Sequence, residues 1–563
     1  MGGKNRFEQP NNTLKNAAIT VIFAVIFYYF YLPPVNIKSA RCMSYLFIVS
    51  LVFAILYYFS GGNAPVRIQG NTISFDPQAK AKSKIPGMIT AGLFILPMVI
   101  TFIFSSTIFH ARAYSRIITV TEGSVEDIPS AERTASIALM DTASAEKLGN
   151  REIGSLSKVV SQYNVSGYTQ IDYRGTPVKT SPLRYDGIIK WWRNRKNGVP
   201  GYVIVDPVRM DADYVELPEG MVFVPSAYFN ENLERYIRFH FPTVMFDEVH
   251  FEIDEEGNPW YVASVYDHLV GLFGGDQVIG AVLVNPVTGE CERKAVGDIP
   301  RWVDVVFPGD LICEQFNYSA QLHSGFINSV IGQSGCRKIT EYGDSDGEYT
   351  SDFGYISKDG DIWIYTGVTS LNNDSSNIGF ILSNERTEET IFITCSGADE
   401  FSAMASAQGE VQEKRYAASF PSLILLNDVP TYIMVLKDAS GLVKMYACVN
   451  VEQYNMVATA ATQKECIAKY EALVSGRISQ AEATAEGTVV DVPEETDTTA
   501  WETRMVTLAK MREIVRDGNT YLYIVDENEN IYCARYTDVI DMILAEEGDT
   551  VTILTDGERF VLK

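Results

Sequence analysis

Three long runs without a charged residue open the chain, at 17–32 (AAITVIFAVIFYYFYL), 43–60 (MSYLFIVSLVFAILYYFS) and 86–109 (PGMITAGLFILPMVITFIFSSTIF). A membrane-crossing helix takes about 20 apolar residues, and an ionised group in hydrocarbon is costly. The pattern therefore predicts spans at about 16–32, 43–60 and 86–109. Tyr28, Tyr29, Tyr31, Tyr57 and Tyr58 gather near run ends, where amphipathic rings prefer the headgroup level. The first run has a long polar lead and a second run close behind it, unlike a cleaved signal peptide. Ala91 and Gly92 in the third run are small enough to permit close helix approach.

Beyond residue 116 the apolar positions come in shorter patterned groups. Residues 130–160 have helical spacing, with Ser130 as cap and a break expected near Gly149 and Gly154. Residues 163–180 read as strands, 183–197 as a helix carrying Trp191 and Trp192, and 230–240 (NENLERYIRFH) as a second helix. At 245–253, Met245, Asp247, Val249, Phe251 and Ile253 share one strand face by period two. DEEGN turns at 254–258, and WYVASVY runs back. Further hairpins lie at 355–365, 430–450 and 519–536. The first of these has Asp359-Gly360 at its corner, the strongest short hairpin signal in the chain. Helices are expected at 463–473 and at 501–515, the latter from a stripe of Trp501, Met505, Leu508, Met511 and Val515.

Two stretches raise a question of reuse: PWYVASVYDHLVGLFGGDQVIGAVLVNPVTGE (259–290) and PTYIMVLKDASGLVKMYACVN (430–450). Both set a proline and an aromatic before an apolar strand and return to Val-Asn. The first carries HLVGLFGGDQ (268–277) where the other simply turns. A lone hairpin cannot bury its own face, so hairpins and helices must stack, and the fold class is α+β. The domains expected are a transmembrane anchor (1–116), a mixed helix and strand domain (117–228), a repeated-hairpin body (229–483), an acidic linker (484–499) and a helix-hairpin module (500–563). The helix-then-hairpin order of 230–290, closing on VNPVTGE, resembles the PepSY-like modules of cell-envelope proteins. A looser echo covers 501–536, and GYVIVDP at 201–207 is a partial one. The resemblance implies an extracytoplasmic module that binds or restrains other proteins and is not itself a catalyst.

Charge sharpens the division. Residues 1–116 hold 11 Lys and Arg against two acids, leaving 35 against 69, a net of −34, for the rest of the chain. Such an acidic body repels nucleic acid. Short-loop Lys and Arg favour the amino terminus and the 61–85 loop on the cytoplasmic side, seven (Lys4, Arg6, Lys15, Arg67, Lys80, Lys82, Lys84) against four (Lys38, Arg41, Arg112, Arg116). Three crossings then place residues after about 110 outside. Seven of eight cysteines lie in the body with no CxxC, a density of ordinary buried thiols or a few bridges. Asn164, Asn317 and Asn373 begin glycosylation sequons.

Candidate chemistry is sparse. None of the five histidines has HExxH or HxxxH spacing, and GxSxG is absent. His250 stands between Glu248 and Glu252 on one strand face, read as solvated charge. Cys336 and His323 sketch a thiol dyad with nothing in the sequence to join them. Asp344, Asp346, Glu348 and Asp352 of GDSDGEYTSD offer hard oxygen ligands around Gly347, a pattern suited to Ca2+. WWRNRK (191–196) reads as a core tryptophan among solvated bases, or else as a headgroup- or partner-facing patch. The polar stretch 365–380 reads as a decorated turn or a groove lining.

These readings combine into a multi-pass cell-envelope interaction protein, bound to the lipid bilayer, whose acidic extracytoplasmic body meets protein or polymer partners, or copies of itself. One alternative is an envelope hydrolase or transferase using paired carboxylates, which needs two acids with opposed pKa shifts in a cleft. Another is an oligomeric channel or transporter subunit, disfavoured by spans without ionisable residues.

Overall fold

The computed structural model describes residues 12–59, 66–69, 72–75, 84–130, 142–207, 209–343, 349–351, 353–371, 376–485, 487–488 and, discontinuously, 502–562. The chain divides into two compact units, Met1–Val490 and Asp491–Lys563.

Three helices are long and apolar enough to cross a membrane: Thr13–Tyr31, Ala40–Phe59 and Ile85–Ser105. They comprise α1 (Asn12–Tyr31), α2 (Ala40–Phe59) and α3 (Ile85–Ile100), the last extended by a π-helical turn, Thr101–Ser105. The third ends at Ser105, short of the expected residue 109, because Ser106 is in extended conformation. A separate short helix, α4 (Thr107–Tyr114), follows it. Polar side chains fasten the spans internally: Asn16 Nδ2 donates to Leu56 O (3.2 Å) and Tyr45 OH to Ala24 O (2.9 Å). Hydrocarbon offers no competing water for such groups. A Cβ on Gly87 would lie 3.3 Å from Tyr58 OH, so the close approach to α2 falls there, and Gly92 has open space.

The body is one unit used four times. Each use has four consecutive antiparallel strands followed by a helix; short strands extend the first sheet (Tyr163–Val165), the third (Arg337–Ile339 and, parallel, Val120–Gly123) and the fourth (Ala417–Ala418). The first sheet comprises Thr169–Tyr173, Thr176–Tyr185, Val199–Asp206 and Asp211–Met221. Ahead of it lie α5 (Thr142–Ser155) and α6 (Ser157–Val160); α7 (Ile188–Asn194) interrupts it and α8 (Leu233–His240) follows. The second comprises Met245–Ile253, Pro259–Val270, Gly274–Val284 and Cys291–Ala295, then α9 (Gly309–Leu322). The third comprises Gly354–Lys358, Asp361–Ser370, Ser376–Asn384 and Thr390–Ala398, then α10 (Glu400–Glu410). The fourth comprises Ser422–Leu426, Val429–Lys437, Val443–Asn450 and Val457–Ala460, then α11 (Gln463–Val474). The two stretches that raised the question of reuse are the second and third strands of the second and fourth sheets.

Turn chemistry repeats with the sheets. Between first and second strands, Arg174-Gly175, Asp359-Gly360 and Asn427-Asp428 all take positive φ, from 51° to 78°. These are two-residue hairpin turns whose twist matches the flanking strands. Between third and fourth strands stands an Asx residue in every sheet. The side chains of Asp206, Asn285, Asn384 and Asn450 accept backbone N–H groups of Arg209 (2.9 Å), Val287 (3.0 Å), Arg386 (2.8 Å) and Gln453 (2.8 Å). A short polar side chain closing its own turn explains the recurrent Val-Asn and Val-Asp.

Strand alternation feeds a different core on each face. In the second sheet Tyr261, Ala263, Val265, Val282 and Val284 pack toward the first sheet, while Val262, Ala281 and Leu283 meet α9 and the third. In the third sheet Tyr365, Phe380, Leu382 and Ile393 face the fourth, and Ile364, Ile381 and Phe392 face back. The outer face of the fourth, with Ile433, Val435 and Cys448, is covered by α11. Met210 of the first sheet packs against both the first core and this last one, so the series curves back on itself.

Several sequence expectations are corrected. Residues 501–515 were expected to be helical, but Glu502–Arg516 is a strand. Its halves pair with Thr550–Thr555 and with Asn519–Asp526. Thr503, Val506 and Thr507 are β-branched and suit a pleat. The supposed stripe splits, with Met505 exposed and Leu508 buried. This strand belongs to a five-stranded antiparallel sheet in the carboxy-terminal unit, around Val506, Leu508, Ile524, Tyr532, Ile553 and Phe560. α5 runs straight through Gly149, where a Cβ would collide with the Tyr168 hydroxyl. Residues 131–141, and so the body of the helix that Ser130 was to cap, lie outside the described residues. The strict period-two face at 245–253 fails because two residues of that strand, Asp247 and Glu248, oppose one of its partner, Ser264. The bulge puts Phe246 and Phe251 on one core.

Candidate functional site

Two places in the body have the makings of a site. The first is a carboxylate cluster where the first three sheets converge. The Glu252 side chain, 0% exposed, accepts the backbone N–H groups of Asp304 (2.8 Å) and Val305 (3.1 Å). Asp304 accepts the N–H of Asp172 in the first sheet (2.7 Å). Glu385, which starts the third sheet's last turn, receives Val306 N–H (3.0 Å) and Phe307 N–H (2.7 Å) on its backbone carbonyl. Its Oε2 is buried without a hydrogen-bond partner among the described residues. Lys179 Nζ lies 5.1 Å from the Tyr355 ring centroid, also bridging the first and third sheets.

Burial in low dielectric disfavours the charged form of an acid. It pushes Glu252 up to about 7 against the two N–H donors, and raises Asp304, with the Glu252 charge adding to the effect. Burial likewise pushes Glu385 up to about 8. The Gly309 N–H and Lys179 oppose this shift, and the Glu252 charge adds to it. Burial thus favours the protonated form of each carboxyl, the form a general acid starts from. Yet Asp304 and Glu385 are each 2% exposed. Their shifts run in the same direction, so acid and base roles are not separated.

The second place is an open cavity of about 450 Å³ lined by Arg116, Glu122, Phe316, Ser319, His323 and Arg337, among others. It lies beside the segment that leaves α4. Arg337 is 3.7 Å from Glu122 and its guanidinium stacks 3.9 Å over the Phe392 ring. Access exists here without a close pair of acids. The structure thus separates proton-holding carboxyls from solvent-open space.

The sequence candidates fall as follows. Asp344, Asp346, Glu348 and Asp352, the proposed Ca2+ ligands, lie outside the described residues. Among the described residues no group of three or more His, Cys, Asp or Glu converges to hold a metal ion. Glu248, His250 and Glu252 are not a uniformly solvated face: Glu248 is exposed, burial lowers His250 to about 4, and Glu252 is sealed. Gly335, the neighbour of Cys336, lies close to the His323 ring, but the Cys336 Sγ donates to Gln321 O (3.3 Å) and burial raises the thiol, the opposite of an activated nucleophile. Trp191 is core, with Nε1 donating to Glu231 (2.8 Å), whereas Trp192 is exposed under Arg195 at 4.2 Å. The polar stretch 365–380 forms two strands of the third sheet. Its Gly367 N–H reaches buried Glu400 (2.5 Å), whose other oxygen accepts Thr340 Oγ1 (3.0 Å). Sequence reading missed Asp304, Glu385 and Glu400; the Asn-Glu at the third sheet's Asx turn was the available signal for Glu385.

A third feature is the seam between anchor and body. Lys38 pairs with Asp267 (2.8 Å) and Arg41 with Glu234 (2.7 Å). Arg235 reaches Tyr29 O (3.0 Å) and Val35 N–H donates to Pro242 O (2.7 Å). Ser105 Oγ, at the end of the third span, accepts N–H groups of Leu272 (3.2 Å) and Phe273 (3.3 Å) at the second sheet's hairpin tip. The insertion noticed in the sequence is therefore the part that grips the anchor.

No protein-family model matches the chain, and no curated protein does. Among solved structures it is similar to an exo-beta-1,3-galactanase from Clostridium thermocellum, over 70% of each chain at 9% identity and a TM-score of 0.19. A GH32 beta-fructofuranosidase from Bombyx mori aligns over 75% of this chain and 70% of its own, at 9% identity and 0.18. A levansucrase mutant from B. megaterium aligns over 80% and 96%, at 8% and 0.16. Scores this low carry no residue assignment to this chain. What stands is a multi-pass membrane protein, anchored by three apolar helices, with a large extramembrane α+β body that buries acidic side chains.

Proposed function

We propose that the chain is a cell-envelope interaction protein whose acidic body lies on the extracytoplasmic side and offers its sheet edges and loops to protein or polymer partners. The observation that carries this reading is the seam. Contacts from the ends of all three spans fix the body's pose, which mere tethering does not require. The PepSY-like segment 230–290 takes part in it, since it supplies both α8 and the gripping hairpin. Purification in mild detergent tests the proposal: a stoichiometric envelope partner, lost when Lys38 and Arg41 are replaced by Gln, is the expected result. Protease added to intact cells should cut beyond Arg116; protection there, with cutting only after permeabilisation, would refute the placement.

A second reading has its own observation. Three carboxyls where the first three sheets converge, each with its pKa raised by burial, offer the proton donors that an envelope hydrolase or transferase needs. It requires the seam between the second and third sheets to open. Turnover of an envelope polysaccharide by the purified chain, abolished in Glu385→Gln, would establish it. Equal turnover in that variant would remove it.

A further inference from the structure

We infer that the body makes a second, non-spanning contact with the bilayer through the turn that follows α9, with Ile327, Val330 and Ile331 entering the apolar edge of the lipid. These residues are 75%, 57% and 81% exposed. Their spacing puts them on one face of a helical turn, Asn328–Gly332 being π-helical with Ile327 just before it. Isolated exposed apolar residues need no explanation, but three large ones on one short turn do. From Ser324 to Cys336 there is no charged residue, in a body where roughly one residue in four is charged.

Position supplies the occupant. Phe326, at the root of the turn, packs with Leu322 against Ala111, Tyr114 and Val270. That cluster is built on α4, which starts two residues after the third span ends. Phe104, Ile108 and Phe109 are exposed along the same segment, so the apolar surface of the turn continues that of the span.

The turn bonds several of its own polar groups. Asn328 Nδ2 donates to Ser334 O (3.0 Å), while its Oδ1 accepts Ser334 N–H (3.2 Å). Gln333 N–H closes on Asn328 O (2.5 Å), and Ser329 Oγ on Phe326 O (2.8 Å). A tip that satisfies its own backbone and turns aliphatic side chains outward meets the condition for leaving water.

Brominated lipids quench tryptophan only where it enters the acyl region. Full-length Ile331→Trp and Leu442→Trp, the latter on the exposed hairpin tip of the fourth sheet, are reconstituted in phosphatidylcholine nanodiscs with and without dibrominated chains, and the parent signal is subtracted. Both positions are exposed, so neither change disturbs packing. The added tryptophan at 331 should lose several-fold more emission than the one at 442. Equal quenching at the two positions overturns the inference, and so does a loss at 331 that persists when the brominated lipid is replaced by detergent.

Discussion

The second and fourth sheets are the same four-strand unit put to different ends. In the fourth, the central hairpin has strands of 9 and 8 residues, and its tip meets Lys147 of α5. In the second, the strands are 12 and 11 residues long, and the tip reaches the end of the third membrane span. The shared part supplies turns and a two-faced core. The lengthened part supplies attachment. Repetition therefore accounts for the stack, and departure from repetition marks where the stack meets something else.

The two hairpin tips allow a direct test. Gly271 and Gly441 both have positive φ (66° and 75°). A Cβ on Gly271 would run into the backbone of Phe104, whereas on Gly441 it would meet only the flexible end of Lys147. Gly271→Ala should cost on the order of 3 kcal/mol and loosen the anchor, against about 1 kcal/mol for Gly441→Ala, by denaturant unfolding in detergent. Equal costs would mean that the long hairpin does not grip the span.

The seams between sheets differ as well. Glu400, between the third and fourth sheets, has both oxygens bonded, and Glu385 leaves one unpartnered. A carboxyl whose folded pKa is raised contributes stability at low pH, and this is lost as pH rises through the folded value. For Glu385 that window runs from the ordinary carboxylate range up to about 8. Glu385→Gln should therefore flatten the fall in melting temperature between pH 5 and pH 8 and stabilise the body at pH 8 by on the order of 2 kcal/mol. Glu400→Gln should destabilise it, because one of two acceptors is lost.

Smaller effects sharpen the equivalence. Asn285→Ala and Asn450→Ala remove matching turn closures and should each cost about 1 kcal/mol. Asn450 should cost somewhat more, since it also donates to Tyr470 OH (3.0 Å). Smallest is Asp267→Asn, which breaks a half-exposed pair with Lys38 and should cost about 0.5 kcal/mol or less, vanishing in high salt.

How much was legible follows from what sets each feature. The spans read directly, because hydrocarbon excludes charge regardless of what else the chain does. Asp359-Gly360 and the turn at Asp254 read directly too, being local chemistry. The strand at Glu502–Arg516 did not, since a spacing of Met505, Leu508 and Met511 fits a helix as well as a bulged strand, and pairing at a distance decided the matter. Glu252 looked like half of a solvated pair because nothing in VHFEID tells that the first sheet and the 304–305 loop close over it. The convergence of Glu252, Asp304 and Glu385 is a property of stacking order, which is invisible until the sheets are in place.

Ser105 carries a mechanical consequence. One hydroxyl at the lipid boundary receives two amides from the second sheet, and Tyr114 OH holds the same residue's carbonyl at 2.5 Å. The third helix is thus tied to the body through that β-ribbon, whose first strand pairs with the strand that carries Glu252.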